Sequence, residues 1–504
     1  MSSSALTRLG SQTLLYGMGT ILPRFLNYLL TPLLTYIFHE PAQFGLHTEL
    51  YSYIAILNVI FTYGMETAYF RFCQTTQNPD TVFRTGFTFL ILTTLIFSGI
   101  LYYYTPIFAT WLHYDKHPEF LYWSTGILAS DALLALPMAR FRQLEKPIPF
   151  TLIRITNILT NIVLHILIFV VVKNKYVNHP ENILYSWYNP GTGIGYSFLC
   201  NLLSNVLSFL MLIPSLRNYR PAWDFSLFAT MIRYSWPLII VGIAGMINET
   251  FDRAAMKHLL PLSEGQKAQG IYGACYKISI FMTLFIQAFR FAAEPFFFNR
   301  ASERNALSLN AYVFKIFSQF CFFIFLLTAL NLPLLQYFIG PSYREGIHIV
   351  PVLLLANAFL GIYYHLSIWY KLSGKTIYGA VISTIGAIIT IVLNILFVPV
   401  FSYNASAWTT LIAYATICII SYKTGRKYYP APYNLRAFVF YMLLSLFLYF
   451  LSFFWKDIPS VLIRTILNNL LVIPFVWIWI KWELPVLKKR HAEYRSEDNQ
   501  SFPV

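Results

Sequence analysis

The stretch Thr13-Leu-Leu-Tyr-Gly-Met-Gly-Thr-Ile-Leu-Pro-Arg24-Phe-Leu-Asn27-Tyr-Leu-Leu-Thr-Pro-Leu-Leu-Thr-Tyr-Ile37 is 25 residues long and carries one charge, at its centre. About 20 apolar residues in a helix cross a ~30 Å hydrocarbon core, so this run is long enough to span a bilayer. Thirteen similar runs follow: Gly45–Phe70, Thr85–Thr105, Phe120–Met138, Phe150–Val172, Gly193–Leu216, Ile232–Ala254, Gly270–Pro295, Ala311–Leu330, Ile347–Trp369, Tyr378–Val398, Ala405–Tyr422, Ala437–Phe454 and Val461–Ile480. The pattern predicts an all-α polytopic membrane protein with about 14 transmembrane helices. Over its 504 residues the chain is 57% hydrophobic, 18% aromatic and only 11% charged. Ordinary soluble domains carry roughly 25% charged residues, so this chain lacks the polar surface a soluble fold needs. The longest external connection, Lys173 to Thr192, leaves no room for a folded soluble domain.

The net charge of +15, from 36 Lys and Arg against 21 Asp and Glu, would suggest a polyanionic partner in a soluble protein. With the N-terminus placed in the cytoplasm, 23 of the basic residues fall in inner segments and nine in outer ones. That bias is the orientation signal of a membrane protein, so nucleic acid is not expected as a partner. Both termini are predicted to be cytoplasmic. Met1 to Gln12 is polar and the first run lacks a cleavage site, which predicts a retained helix, not a signal peptide. The five cysteines form no Cys-x-x-Cys pair and four sit in apolar runs, as small buried side chains do.

An internal repeat is visible at an offset of 229 residues. Arg142-Gln-Leu-Glu-Lys146-Pro-Ile precedes the fifth helix and Lys371-Leu-Ser-Gly-Lys375-Thr-Ile the eleventh. In the same register, Ile162-Val-Leu-His165-Ile-Leu aligns with Ile391-Val-Leu-Asn394-Ile-Leu. Six helices per unit is an even number, so both units enter from the same side, a parallel repeat. The expected organisation is a six-helix bundle over residues 1–216, a linker over 217–230 and a second bundle over 231–429. Helices 13 and 14 follow over 430–482, and a polar tail over 483–504.

No Walker loop, dinucleotide glycine pattern, Gly-x-Ser-x-Gly or His-Glu-x-x-His is present. No enzymatic function, cofactor or metal is expected. His113 and His117 flank Asp115 at one-turn spacing but read as solvated loop residues. The informative residues are ionisable groups at membrane depth, which are costly and face a cavity or a partner. Arg24 follows Pro23 and lies near the midplane, where snorkelling is hardest. Lys277, Arg290 and Glu294 lie on helix 8. Helix 7 ends in Asn248-Glu249-Thr-Phe-Asp252-Arg253, and Glu66, Arg71 and Asp131 lie on helices 2 and 4. Arg154, Asn157, Asn161 and His165 form one stripe on helix 5, and Asn201 and Asn205 a shorter one on helix 6. Pro23, Pro32, Pro237 and Pro351, with nearby glycines, predict bends in helices 1, 7 and 10.

Several segments carry a family resemblance: Gly17-Met-Gly-Thr-Ile-Leu-Pro-Arg24, Phe44-Gly45, Gly64-Met-Glu66-Thr-Ala-Tyr-Phe-Arg71, Tyr234-Ser-Trp-Pro237, Gly245-Met-Ile-Asn248-Glu249 with Asp252-Arg253, and Tyr272-Gly-Ala-Cys-Tyr-Lys277. The chain resembles, from about Leu9 to Tyr429, the bacterial polysaccharide-biosynthesis flippases (Wzx-type) of the multidrug/oligosaccharidyl-lipid/polysaccharide exporter superfamily. The resemblance implies two six-helix bundles in a V around a central cavity open alternately to each side. It implies as cargo an oligosaccharide on a polyprenyl pyrophosphate, moved from the cytoplasmic to the outer leaflet for O-antigen or a related surface polysaccharide. A lipid II flippase and a multidrug antiporter are the alternatives within the superfamily. Arg24 falls where the lipid II branch places an essential arginine. A pyrophosphate crossing low dielectric needs cations, and arginine's fork suits phosphate oxygens. Arg24, Lys277, Arg290 and Arg154 are therefore the candidate substrate-binding residues. Glu249, Asp252 and Glu294 are the candidate carriers of a coupling proton or sodium ion.

Overall fold

The computed structural model describes residues 17, 19–76, 78–179, 181–185, 187–217, 219–222, 224–299 and 305–485. No strand occurs among them. In a hydrocarbon core every backbone N–H and C=O must be bonded internally, and continuous helix does this without a partner segment. Twelve helices are long and apolar enough to span. They are α2 Pro41–Gln74, α3 Pro79–Trp111, α4 Glu119–Gln143, α5 Pro147–Asn178, α6 Pro190–Leu216 and α7 Phe225–Leu259, then α9 Ala306–Leu330, α10 Pro341–Leu372, α11 Ile377–Phe401, α12 Tyr403–Tyr428, α13 Leu435–Trp455 and α14 Val461–Pro485. A bent pair, Leu262–Ile278 with Ile280–Arg290, makes a thirteenth and is α8. The first apolar run is helical over residues 19–37 apart from a turn at Leu29, and is α1. Its first residues lie outside the described ones.

Proline at the first turn starts α2, α3 and α5, where its missing N–H would have had no partner anyway. Asp224 caps the start of α7 by accepting from the Leu227 N–H at 2.9 Å. Leu95, Ile96, Val163, Val400, Leu443 and Phe447 stand exposed, forming the apolar girdle that lipid covers. The most apolar window of α10 is 67% buried and that of α14 only 11%, so α10 is a core helix and α14 a peripheral one.

The two halves pack alike. α3 packs on α4 as α9 packs on α10, α4 on α6 as α10 on α12, and α5 on α6 as α11 on α12. The seam between halves is made by α2, which packs on both α7 and α8. At that seam a Cβ on Gly270 would overlap the Pro41 carbonyl, and one on Gly45 the Gln266 carbonyl. Only glycine lets these backbones come so close.

α7 is continuous through Pro237, and a marked bend of 53° that the proline pattern does not predict lies in α8, at a break between Ile278 and Ile280 that holds no proline or glycine. There Ser279 bonds back to the Tyr276 carbonyl at 2.7 Å and accepts from Asn357 of α10 at 3.2 Å, so neighbours satisfy the break. One expectation needs correction: Lys257, beyond the predicted end of the seventh helix at Ala254, belongs to α7, and its side chain is fully buried.

Candidate functional site

The face where α1 starts is called the near face here, and the face where it ends the far face. A cavity of about 510 Å³ opens between α1, α2, α4, α5 and α6, on the near side of mid-depth. Its walls carry Arg24 and Asn27 from α1, Asn58 and Glu66 from α2, Asp131 from α4, Arg154, Asn157 and Asn161 from α5, and Asn201 and Asn205 from α6. All five helices belong to the first half.

Local sequence explains the placement. The stripe on α5 puts Arg154, Asn157 and Asn161 on one face at 3- and 4-residue spacing. That face meets the polar side of α6: the Asn157 amide donates to Asn205 Oδ1 at 3.0 Å and to Ser208 Oγ at 2.9 Å. Asn205 in turn donates to Asp131 Oδ1 at 2.8 Å. Gly19 of α1 packs against Thr151 and Phe150 of α5, which brings Arg24 and Arg154, 130 positions apart, to the same space. Both are exposed to it. Among the described residues neither forms a salt bridge, whereas Arg142 and Arg140 near the cavity's near end pair with Glu66 and Asp80. The carbonyl oxygens of Asn58 and Asn161 are buried with no hydrogen-bond partner. Two guanidiniums and a set of asparagines on one polar space suit a ligand with an anionic part and hydroxyl or amide groups.

The other candidates lie in the second half. Lys277, beside the α8 break, stacks over Tyr28 at 5.1 Å, one turn after Arg24 on α1. Arg290 stacks over Tyr364 of α10 at 3.9 Å. Arg24 and Arg154 thus line one space, and Arg290 stacks on a tyrosine that is also within electrostatic reach of Arg24. Glu249 is exposed, while Asp252 is buried and accepts from Tyr272 and from Arg253, whose side chain stacks over Tyr276 at 4.3 Å. The side chain of Glu294 lies outside the described ones.

Sequence reasoning missed an ion pair at the seam. Lys257 Nζ lies 3.1 Å and 3.3 Å from the two Glu49 oxygens, and both side chains are fully buried. Tyr114 donates to Glu49 at 2.9 Å, Tyr53 does so at 3.2 Å, and Lys257 also donates to the Leu112 carbonyl. Tyr114, in the α3–α4 connection, has its phenol pushed well above its ordinary range by burial and the Glu49 charge. Glu49 is a lone carboxylate near the start of an apolar run, and that was the only signal available.

A family model described as polysaccharide biosynthesis protein matches residues 9–299. Among solved structures, a lipid II flippase, MurJ, in an inward closed conformation superposes with a TM-score of 0.72 at 16% identity, covering 93% of this chain and 99% of that one. An inward-facing multidrug resistance MATE family transporter of the MOP superfamily gives 0.63 at 15%, covering 84% and 97%. The Vibrio cholerae MATE transporter VcmN in its bent form gives 0.54 at 11%, covering 87% and 99%. These likenesses establish the fold. No curated protein sequence matches the chain.

Proposed function

Because the chain belongs to the polysaccharide biosynthesis protein family, a family of membrane flippases, we propose that it moves an oligosaccharide linked to a polyprenyl pyrophosphate across a bacterial inner membrane. The cargo crosses from the cytoplasmic to the outer leaflet for O-antigen or a related cell-surface polysaccharide. Both termini are cytoplasmic in this reading, so the near face is the cytoplasmic one. The six-helix halves, 1–216 and 231–429, rock against each other to alternate access, with 217–230 as the linker between them. Helices 13 and 14 (430–482) and the tail (483–504) lie outside the rocking pair.

The observation that carries this reading is that Arg24 and Arg154 share one cavity with six asparagines, where neither arginine forms a salt bridge among the described residues although Glu66 and Asp131 also line the walls. Two guanidiniums bind pyrophosphate oxygens by forked hydrogen bonds, and the asparagines meet the first sugar. A carrier of organic cations would leave its carboxylates free there, whereas Glu66 is held by Arg142 and Asp131 accepts from Asn205. Lys277 and Arg290 supply further positive charge along the second half. A proton or sodium gradient drives the cycle through Glu249, with Asp252 and Glu294 as the other carboxylates at membrane depth.

The test is glycan display at the cell surface, measured alongside the membrane abundance of each variant. Arg24→Ala is expected to abolish display at normal abundance. Arg24→Lys keeps the charge without the fork and is expected to retain part of it. Normal display by a well-inserted Arg24→Ala protein would remove Arg24 from the mechanism.

A further inference from the structure

A second cavity, of about 700 Å³, lies at the far face of the same half. It is built from the same five helices and their far-face connections. Phe38, His39 and Gln43 come from the end of α1 and the start of α2, His117 and Phe120 from α4 and its approach, and Lys173 and Tyr176 from the end of α5. Tyr188 and the turn Pro190 to Ile194, leading into α6, close the other side. The two cavities are thus stacked along the axis of one half.

A single aromatic layer separates them. Phe38 and Phe120 of the far cavity meet Phe169 and Phe198 at 5.3 Å and 6.2 Å. Phe198 stacks on Tyr51 at 5.1 Å, and Tyr51 accepts from Asn201 of the inner cavity at 2.7 Å. At this level α5 loosens into a π-helix, Leu167–Val172. Such segments are rare and concentrate at functional sites. Along α5 the π-helix lies between Asn161 of the inner cavity and Lys173 of the far one.

The chemistry of the far cavity differs from that of a lipid groove. A small cavity between α9 and α14, lined by Phe320, Phe323, Phe475 and Trp479, shows the lipid kind, an almost unbroken apolar wall. The far cavity alternates aromatic faces with His39, Glu40, Gln43, His117 and Lys173. Gln43 Oε1 is buried in this region without a hydrogen-bond partner. Aromatic faces beside an unpaired amide acceptor suit a ligand that has both apolar faces and hydroxyl donors. The volume falls within the ~300–1,000 Å³ of small-molecule sites.

We propose that this far-face cavity is a second saccharide-binding site, which takes the sugar part of the cargo after it has passed the aromatic layer. The identity of the ligand rests on the flippase reading; the site itself rests on the cavity. Gln43 accepts from a sugar hydroxyl, and Tyr176 and Tyr188, whose rings lie 5.3 Å apart, present apolar faces to the ring.

Photo-crosslinking in glycan-producing cells tests it, with p-benzoylphenylalanine placed at Val177, an exposed residue of the far cavity, or at Leu134 of the inner one. Adducts are scored for periodate-oxidisable glycan. Both positions are expected to give glycan-bearing adducts. Adding Gln43→Leu should lower the Val177 adduct by roughly two- to tenfold, the loss of one net hydrogen bond, and leave the Leu134 adduct and membrane abundance unchanged. A glycan adduct at Leu134, with none or only phospholipid at Val177, overturns the second site and leaves the flippase reading standing. An equal fall at both positions on adding Gln43→Leu also overturns it. Absence of glycan adducts at both positions overturns the site and the flippase reading together.

Discussion

Helices α5 and α11 are equivalent members of the two halves, and a direct comparison shows what each half is for. At the repeat offset, His165 matches Asn394. Both bond back one turn: His165 Nδ1 to the Asn161 carbonyl at 2.8 Å, and Asn394 to the Thr390 carbonyl at 2.8 Å. Further toward the near face the two helices diverge. Arg154, Asn157 and Asn161 of α5 stand where α11 has Ser383, Gly386 and Thr390. On α11 these small residues admit Asn248 from α7, which donates to the Ser383 carbonyl at 3.0 Å and accepts from Thr390 at 3.1 Å, while a Cβ on Gly386 would overlap its amide. On α5 the large polar residues meet Gly19 of α1 a turn away and then a cavity. One architecture therefore holds a closed polar joint in the second half and an open polar site in the first.

The contrast depends on the halves staying docked, so the largest expected effect is at the seam. Lys257→Met leaves Glu49 buried without its cation. Breaking a buried pair from one side costs about 3–5 kcal/mol, and the variant should lose most of its thermal stability in detergent and its membrane abundance. Glu49→Leu combined with Lys257→Met removes both charges and should recover most of that loss. A single variant as stable as the parent would show that the seam is held by packing at Gly45 and Gly270 alone.

How much of this was legible in the sequence follows from the physics of each part. Spanning helices announce themselves because each needs about 20 apolar residues of its own, and every apolar run contains a helix among its described residues. The break in α8 does not, because Ser279 and Asn357 that satisfy it lie on different helices. Arg24, Arg154 and the α5 stripe could be picked out singly, since charge at membrane depth is costly. Their meeting in one cavity was not legible, because Gly19 packing on Thr151 is a tertiary fact. Lys257 was misplaced for a related reason: near a helix end a lysine looks solvated, and only its partner 208 positions away shows that it is not.

The next effect is smaller and belongs to the closed joint. Asn394 donates to Thr390 and accepts from Ser406 of α12 at 2.7 Å. Asn394→Leu removes both bonds and leaves the Ser406 hydroxyl to its own helix. Polar contacts between membrane helices contribute about 0.6 kcal/mol on average and up to ~1.7, so thermal melting in detergent should show a loss of this order. Glycan display should fall only in step with abundance. Display falling well beyond abundance would place cargo chemistry in the second half and dissolve the contrast.

The smallest stability effect, and the most informative, is expected at Asn161. Its Oδ1 is buried and unpaired, so Asn161→Leu breaks no hydrogen bond within the protein and relieves a buried acceptor that costs free energy to leave unmatched. Melting should stay within about 0.5 kcal/mol of the parent or rise slightly. Transport should nonetheless fall, because a polar group retained unpaired inside the bilayer has its value in the ligand it awaits. The opposite pair of results, a destabilised protein with display undiminished relative to abundance, would mean that Asn161 has a structural partner and that the first half is as closed as the second. Asn161→Asp separates the roles further. It keeps the carbonyl-type acceptor but adds negative charge to a space shared with Arg24 and Arg154, so it should leave the fold intact and oppose an anionic cargo.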